Sequence, residues 1–427
     1  MAVTNNLGSN TDTQTLARRF LKACEANRVL TKTVDVQVLA GRFSDRTGST
    51  VYIKRPHDYK SISTSDGDIS SSTKSNIEAG KAAATVQNYI TVATEWSNIA
   101  ECTQLDQLDK ILEPMATRAV TDLELALGSF MIKNCNLSYG TPGTAIDAWT
   151  DVAGANAHLD SIGVPKDMPW NYAMNPFTNL ALSNLQAGLT PGGSSNLVDT
   201  AWERSMVNKN FGGMRVFTSN ALPTRTSATC ADRAGALTGA PTATYVGAKD
   251  TMTQVWAVTG FTASATLKAG DILEVTGRYR LSHATREPIF DASAAKVKFR
   301  ATITEDVTLG SSGEGNVTVA GAAIYEATGA YNTVDSALTT SDVVTLLGTT
   351  GAVYQPALFY HPQAFAMTTL KIPKLAATDT TAVAKDGFSF RVTRYSDGDK
   401  NLQKVRFDIL PAFAALNPFF AGQAYGV

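Results

Sequence analysis

Cysteine, histidine and charge are all scarce in this sequence. Its 427 residues include four cysteines and four histidines, and charged residues make up 18%, below the roughly 25% of an average soluble domain. Cys24, Cys102, Cys135 and Cys230 lie far apart with no short-spacing pair, which excludes a zinc knuckle or a dithiol motif and leaves buried, reduced thiols as the expectation. His57, His158, His283 and His361 are scattered, none at a metal-binding or triad-like spacing from a second ligand, so structural or surface roles are expected. No stretch approaches the ~20 apolar residues of a membrane helix. The polar start Met1–Asn10 is followed by no signal-peptide core, and a cytoplasmic product is expected. Positive charge is not in excess either. Thirty-seven Lys and Arg against 38 Asp and Glu leave a net charge of -1, which argues against a dedicated nucleic-acid binder.

Motifs that carry chemistry are missing as well. The glycine-rich GSSGEGN at 310–316 is not followed by Lys-Ser/Thr and opens no helix, so it reads as a hairpin loop and not a phosphate cradle. The Asp-Gly-Asp turns at 66–68 and 397–399 do not continue into a calcium loop with its closing Glu and read as plain turns. Asp106, Asp109, Asp122 and Glu124 lie mainly off the apolar stripe of a long helix and read as a solvated or interface face. The basic run Lys54, Arg55 and Lys60 is too short for a nucleic-acid site but suits pairing with acids on a neighbouring chain. No catalytic, cofactor or metal site is predicted, and no enzyme.

What the sequence has is length and small uncharged residues. The chain is two or three times a usual domain, so two or more packed units are expected, with Ala, Thr, Ser and Gly offering surface for burial against other molecules. Leu16, Phe20, Ala23 and Cys24 predict a short amphipathic helix over 13–27 after a loose polar arm. VDVQVLAGRF and STVYIKRP read as strands, the second closed by Pro56. Residues 57–80 are almost all polar and cannot support a core, so they and their flanking strands predict a projecting hairpin arm that needs a partner surface. The strongest helical signal runs from Thr103 to about Asn134, a rod of roughly 45 Å. It is capped by Thr103 with Asp106 and kinked at Pro114. Helices follow at Trp149–Ile162, after Asn175-Pro176 up to Gly188, and at Asp199–Val207. From Thr224 to about Gly348 short strands recur without helices, clearest at 255–258, 272–275, 297–303, 317–319 and 343–347. They predict an inserted β-barrel or sandwich of about 120 residues. FSFRVTRY and QKVRFDIL predict a closing hairpin, and the apolar tail LNPFFAGQAYGV must dock.

Specific stretches then carry a resemblance. VLTKTVDVQVLAGRF with TGSTVYIKRPHDYKSI, GDIS at 67–70, GKAAATVQNYITVATEW, the long helix, AMNPFTNLAL, NFGGMRVFTSNALPTRT, LKAGDILEV and FSFRVTRYSDGDKNLQKVRFDILPAFAALNP occur in order over nearly the whole chain. Together they resemble the major coat proteins of short-tailed bacteriophages of enteric bacteria, the P-twenty-two-type podovirus coat family. It implies an α+β protein of the Hong Kong 97-type phage capsid fold with an inserted immunoglobulin-like all-β domain. The parts it implies are an N-terminal arm over 1–33, N-terminal strands with an extended hairpin loop over 34–102 (loop about 48–96), and a spine helix over 103–139. Axial material follows at 140–222 and 349–385, the insertion at 224–348 and closing strands at 386–427.

The function so implied is that of a major capsid protein that self-assembles, in the host cytoplasm, into the icosahedral shell around a double-stranded DNA genome. No crosslinking Lys/Asn chemistry is identified, so the contacts are expected to be non-covalent. Tyr52, Lys54, Arg55, Asp66 and Asp68 are expected at the inter-subunit contact of the hairpin loop. Lys249 and Asp250, within 245–251, are expected in an inter-capsomer loop of the insertion, and Arg18, Arg19 and Lys22 at a scaffolding contact. Implied partners are copies of the chain in hexamers and pentamers, a scaffolding protein, a portal protein at one vertex and packaged DNA by non-specific proximity, with no membrane. The rival readings are a surface-layer or adhesin-type β protein and, more distantly, a hydrolytic enzyme.

Overall fold

The computed structural model describes residues 13–39, 41–43, 48–55, 58–97, 108–188, 195–327, 329–375, 379–385 and 388–427. The chain forms two compact units, each built from separated stretches. Met1–Val51, Ala84–Gly128 and Ala366–Ala414 make the first, and Tyr52–Ala83, Ser129–Phe365 and Ala415–Val427 the second.

In the first unit, helix α1 spans Thr13–Asn27. Ala17, Phe20, Ala23 and Cys24 recur every three or four residues, which places them on one face, and all are buried. Phe20 meets Phe407 edge to face at 5.2 Å, and Phe390 stacks on Phe407 at 5.0 Å. These are the offset and perpendicular arrangements aromatic rings favour. The phenylalanines Phe390 and Phe407 sit on an antiparallel sheet ordered Asp379–Lys385, Phe388–Asp397, Leu402–Ile409, Ile90–Ser97. Within it Asp408 is fully buried. It accepts hydrogen bonds from Arg391 Nη2 at 2.6 Å, Arg406 Nε at 2.6 Å and Thr91 Oγ1 at 2.7 Å.

Helix α2, Leu108–Asn134, gives its larger part to the first unit and passes through Pro114. The expected cap at Thr103 and Asp106 and the side chain of Asp109 lie outside the described residues. Asp122 is on the solvated side, paired with Arg118 at 3.0 Å. Glu124 departs from expectation: it is buried, not solvated. Its carboxylate accepts from the backbone N–H groups of Val29, Leu30 and Thr31 and from the Thr31 hydroxyl. It thereby satisfies the free donors that open the 3-10 turn Leu30–Lys32. Among the described residues of VDVQVLAGRF the expected strand is absent, replaced by turns after an isolated bridge from Asp35 to Ala366. Asp35 Oδ1 captures the N–H of Gln37 at 2.8 Å and of Val38 at 3.2 Å, and this local turn outcompetes the strand ladder.

The second unit holds α3 (Trp149–Ile162), α4 (Pro176–Ala187) and α5 (Ser195–Arg204). Asn175 caps α4 by accepting from Thr178 N at 2.7 Å, as Asn before Pro leads one to expect. These helices accompany a mixed six-stranded sheet ordered Leu137–Tyr139, Ala421–Ala424, Ala357–Tyr360, Asn171–Met174, Met214–Thr218, Asn210–Phe211. The apolar tail supplies the second of those strands, Ala421–Ala424, whose residues are all buried.

Strands Thr253–Thr259, Gly315–Ala320, Lys298–Ile303, Ile272–Tyr279, Val343–Leu346 and Ala234–Leu237 close in that order into an antiparallel barrel. One closed sheet, rather than the two stacked open sheets of an immunoglobulin-like sandwich, removes free edges. Trp256, Leu273, Phe299, Val317, Val319 and Val344 fill its interior. Asn136, fully buried, joins the end of α2 to the barrel. Its Nδ2 donates to Ala320 O at 2.9 Å and Arg300 O at 3.1 Å, and its Oδ1 accepts from Arg280 Nη1. Gly321, at φ +82, passes so close to Asn136 that no Cβ would fit.

Candidate interface at the root of the hairpin arm

The strand Thr50–Lys54 alternates, so Tyr52 and Lys54 face outward while Ile53 and Arg55 face inward. Arg55 is buried. Its Nε donates to Leu416 O at 2.8 Å, Nη1 to Lys249 O at 2.9 Å and Asp250 O at 3.0 Å, and Nη2 to Ala415 O at 3.2 Å. Burial lowers the pKa of this guanidinium, opposed by Tyr331, Tyr245 and Asp250. Tyr52 stays exposed, with Lys81 Nζ over its ring at 4.3 Å. Lys54 is exposed too.

Beyond Arg55 the described arm, 58–80, forms no helix or strand. Its limbs are held together by Arg55 N to Gly80 O at 2.9 Å and Lys60 N to Ser75 Oγ at 3.1 Å. At the tip, Asp66 Oδ1 accepts from Asp68 N at 3.1 Å and Asp68 Oδ1 from Ser70 N at 2.8 Å, so both carboxylates build the turn that carries them. The hydrogen bonds from Ser70 hold the Asp68 carboxyl below the ordinary range. Tyr59, Ile62, Ile69 and Ile77 are all exposed along the arm.

The root meets a short helix of the insertion, α6 (Tyr245–Ala248), and the residues just after it. Lys249 Nζ pairs with Glu78 Oε2 at 2.9 Å, and that hydrogen bond raises the lysine's pKa. Lys81 N donates to Asp250 Oδ1 at 3.2 Å. Gly80 lies against the Lys249 carbonyl, with no room for a Cβ. Arg286 pairs with Asp58 and sits 5.1 Å above the ring of Tyr331, which stacks on Tyr245 at 4.4 Å. A cleft of about 250 Å³ runs beside these groups, lined by Asp58, Glu78, Tyr245, Glu326 and Tyr331 among others. Asp58 with Arg286 and Glu78 with Lys249 neutralise one another in pairs, while Arg55 and Asp250 bond backbone groups.

The structure therefore brings together Arg55, Lys249 and Asp250, which the sequence reading assigned to separate contacts. It leaves Tyr52, Lys54, Asp66 and Asp68 apart from them. Sequence reasoning missed Asp58, Glu78, Arg286 and the Tyr245–Tyr331 stack as members, since their partners are 171 residues away for Glu78 and 228 for Asp58. Arg18 and Lys22 are exposed on α1; the Arg19 side chain and His57 lie outside the described residues. His361 is structural: its Nδ1 accepts from Gln363 N at 3.2 Å and its Nε2 bonds Asp167 at 2.9 Å. Cys24, Cys135 and Cys230 are buried free thiols, and burial pushes the first two up to about 12. Cys102 is outside the described residues.

Residues 1–426 match the family described as P22 coat protein, gene protein 5. The chain belongs to the P22 coat protein family. A relative in that sense is the "Major capsid protein" of Acyrthosiphon pisum secondary endosymbiont phage 1, 40% identical over 428 residues and covering 99% of each chain. Among solved structures, similarity extends to Mycobacterium phage Che8 at 11% identity and a TM-score of 0.45, covering 92% of this chain and 90% of that one. It extends also to the bacteriophage PhiM1 mature capsid at 11% identity and a TM-score of 0.44, covering 91% and 86%. The assignment rests on the family match and the 40% identical relative. As a member of the P22 coat protein family, the chain has a structural role, that of a phage major capsid protein in the virion shell. No described helix is long and apolar enough to cross a membrane.

Proposed function

We propose that this coat protein has the Hong Kong 97-type fold and builds its shell through the hairpin arm, with the closed barrel as that fold's insertion. In this reading copies associate as hexamers and pentamers, and each arm lies over an adjacent subunit. The contact involves the exposed arm residues Tyr52, Lys54, Asp66 and Asp68, the outer loops of the barrel approach the next capsomer, and no catalysis is required. A scaffolding protein engages the N-terminal arm through Arg18, Arg19 and Lys22, a portal protein occupies one vertex, and packaged DNA lies near the inner wall without specific contacts. Hexamers and pentamers ask one contact to tolerate different angles, which suits modest non-covalent interfaces.

The observation that supports this best is the arm itself. Between 58 and 80 it exposes Tyr59, Ile62, Ile69 and Ile77, and isolated tyrosines and isoleucines on an extended loop gain most when a partner covers them. Electron microscopy of the purified protein with its scaffolding protein is expected to show closed shells. Charge reversal at Lys54 and Asp68 together is expected to lower particle yield. A discrete small oligomer in the first case, or unchanged yield in the second, would refute the respective claim. Pull-down by the scaffolding protein is expected to weaken from low to high salt, because exposed ionic contacts are screened.

A further inference from the structure

Both limbs of the hairpin arm are fastened to one short stretch of the same chain. The outgoing limb enters through Arg55, whose Nη1 donates to the carbonyls of Lys249 and Asp250. The returning limb ends on that stretch through Glu78 to Lys249 Nζ, through Lys81 N to Asp250 Oδ1, and through Gly80 against the Lys249 carbonyl. Farther along, Asp58 pairs with Arg286 of the insertion.

We propose that the inserted barrel positions the hairpin arm, with Lys249, Asp250 and Arg286 setting the direction in which the arm leaves its own subunit before any neighbour is met. Lys249 and Asp250 thereby have an intrachain task. A polar segment without a core must lose conformational freedom when it docks, and fastening its root beforehand removes part of that cost, the effect of preorganisation. The fastenings differ in kind. Arg55 is a buried pivot, its guanidinium bound to carbonyls on two sides, and charge-assisted bonds of this sort are strong. The Lys249–Glu78 and Arg286–Asp58 pairs are partly exposed and individually weak. A firm pivot with weak outer ties holds an average direction while allowing small angular changes, which is what one chain in hexamers and pentamers needs. The inference uses the proposed shell only for its purpose; the fastening itself is a property of the single chain.

The test is hydrogen exchange on unassembled, full-length protein, comparing the wild type with Glu78→Lys, Lys249→Glu and the double swap. The amides of Arg55 and Lys81, bonded to Gly80 O and Asp250 Oδ1, are expected to exchange about tenfold faster in each single variant and to recover in the swap. Amides of the barrel strand Thr253–Thr259 should be unchanged throughout. If Lys249→Glu also loosens the barrel strand, the neutral Lys249→Met variant decides: it removes the pair without adding repulsion, so a smaller acceleration of about two- to fivefold is expected at Arg55 and Lys81. Unchanged protection of those amides in the single variants, or no recovery in the swap, overturns the proposal. Because no assembly is involved, a failure here is distinct from a failure to form shells.

Discussion

Arg55 and Asp408 are charged residues whose surroundings inside the chain decide their roles. On a strand of period two, Ile53 and Arg55 share the inward face, and Arg55 ends among backbone carbonyls of residues 249, 250, 415 and 416. Replacing it by Ala leaves buried acceptors without donors, so Arg55→Ala is expected to cost about 2–3 kcal/mol, measured by urea unfolding. Asp408 works through charge. Burial alone would raise its carboxyl, but hydrogen bonds from Arg406, Arg391 and Thr91 outweigh it and hold the pKa below the ordinary value. A carboxyl depressed in the folded state contributes stability above its unfolded pKa of about 4 and loses it as pH falls through the lower folded value. Asp408→Asn is therefore expected to lower Tm at pH 7, since Arg391 is left buried without its anion, a loss of about 3 kcal/mol. The difference from wild type should shrink as pH falls below about 4, and calorimetry across pH checks it. An equal difference at every pH would refute the electrostatic account.

At the scale of elements, the arm's return is set by close approach. A Cβ at Gly80 would overlap the Lys249 carbonyl, a backbone atom that no rotamer change can move. Gly80→Ala is expected to destabilise by about 1–3 kcal/mol, read by urea unfolding and by faster exchange of the Lys81 amide. Elements with strong local signals were legible in advance. The helix Trp149–Ile162 ends at Gly163 in a left-handed conformation, and Asn175 caps the next helix. The strands from Thr253 to Leu346 fall where β-branched runs alternate. What was not legible came from partners distant in sequence or from local competition. Nothing near Glu124 announces that it caps the turn at Leu30–Lys32, and the alternation of VDVQVLAGRF hides the capture of two amides by Asp35. A barrel was one of the two expected forms, but the strand that closes it was not legible: Ala234–Leu237, which pairs with both Val343–Leu346 and Thr253–Thr259, is too small and glycine-containing to declare itself. In the candidate site, the residue types at Arg55, Lys249 and Asp250 were noticed, but their mutual contact is set by tertiary packing.

For the whole molecule, the low charge decides what kind of contact can hold a shell. The net charge is -1 and charged residues are 18% of the chain, and the most prominent arm carboxylates, Asp66 and Asp68, already accept from their own backbone. Arg55, Glu78 and Lys249 are engaged within the subunit. Beside the exposed lysines Lys54, Lys60 and Lys74, the arm turns Ile62, Ile69 and Ile77 to solvent, the last 78% exposed. Covering an isoleucine removes roughly 1.5–3 kcal/mol of unfavourable hydration, against about 0.2–1 kcal/mol for an exposed ion pair, so apolar burial should dominate the assembly energy. Ile77→Asp and Ile69→Asp are expected to reduce shell formation more than Asp68→Lys does, with the unassembled subunit retaining its circular dichroism and Tm. Raising NaCl from about 0.05 to 0.5 M, which shortens the Debye length from roughly 14 to 4 Å, should change the assembly threshold modestly. Sulfate should lower that threshold, because excluded salts strengthen apolar burial. Light scattering with sedimentation of the products measures both. A steep loss of assembly with NaCl, or Asp68→Lys outweighing Ile77→Asp, would mean that charge and not apolar burial holds the arm to its neighbour.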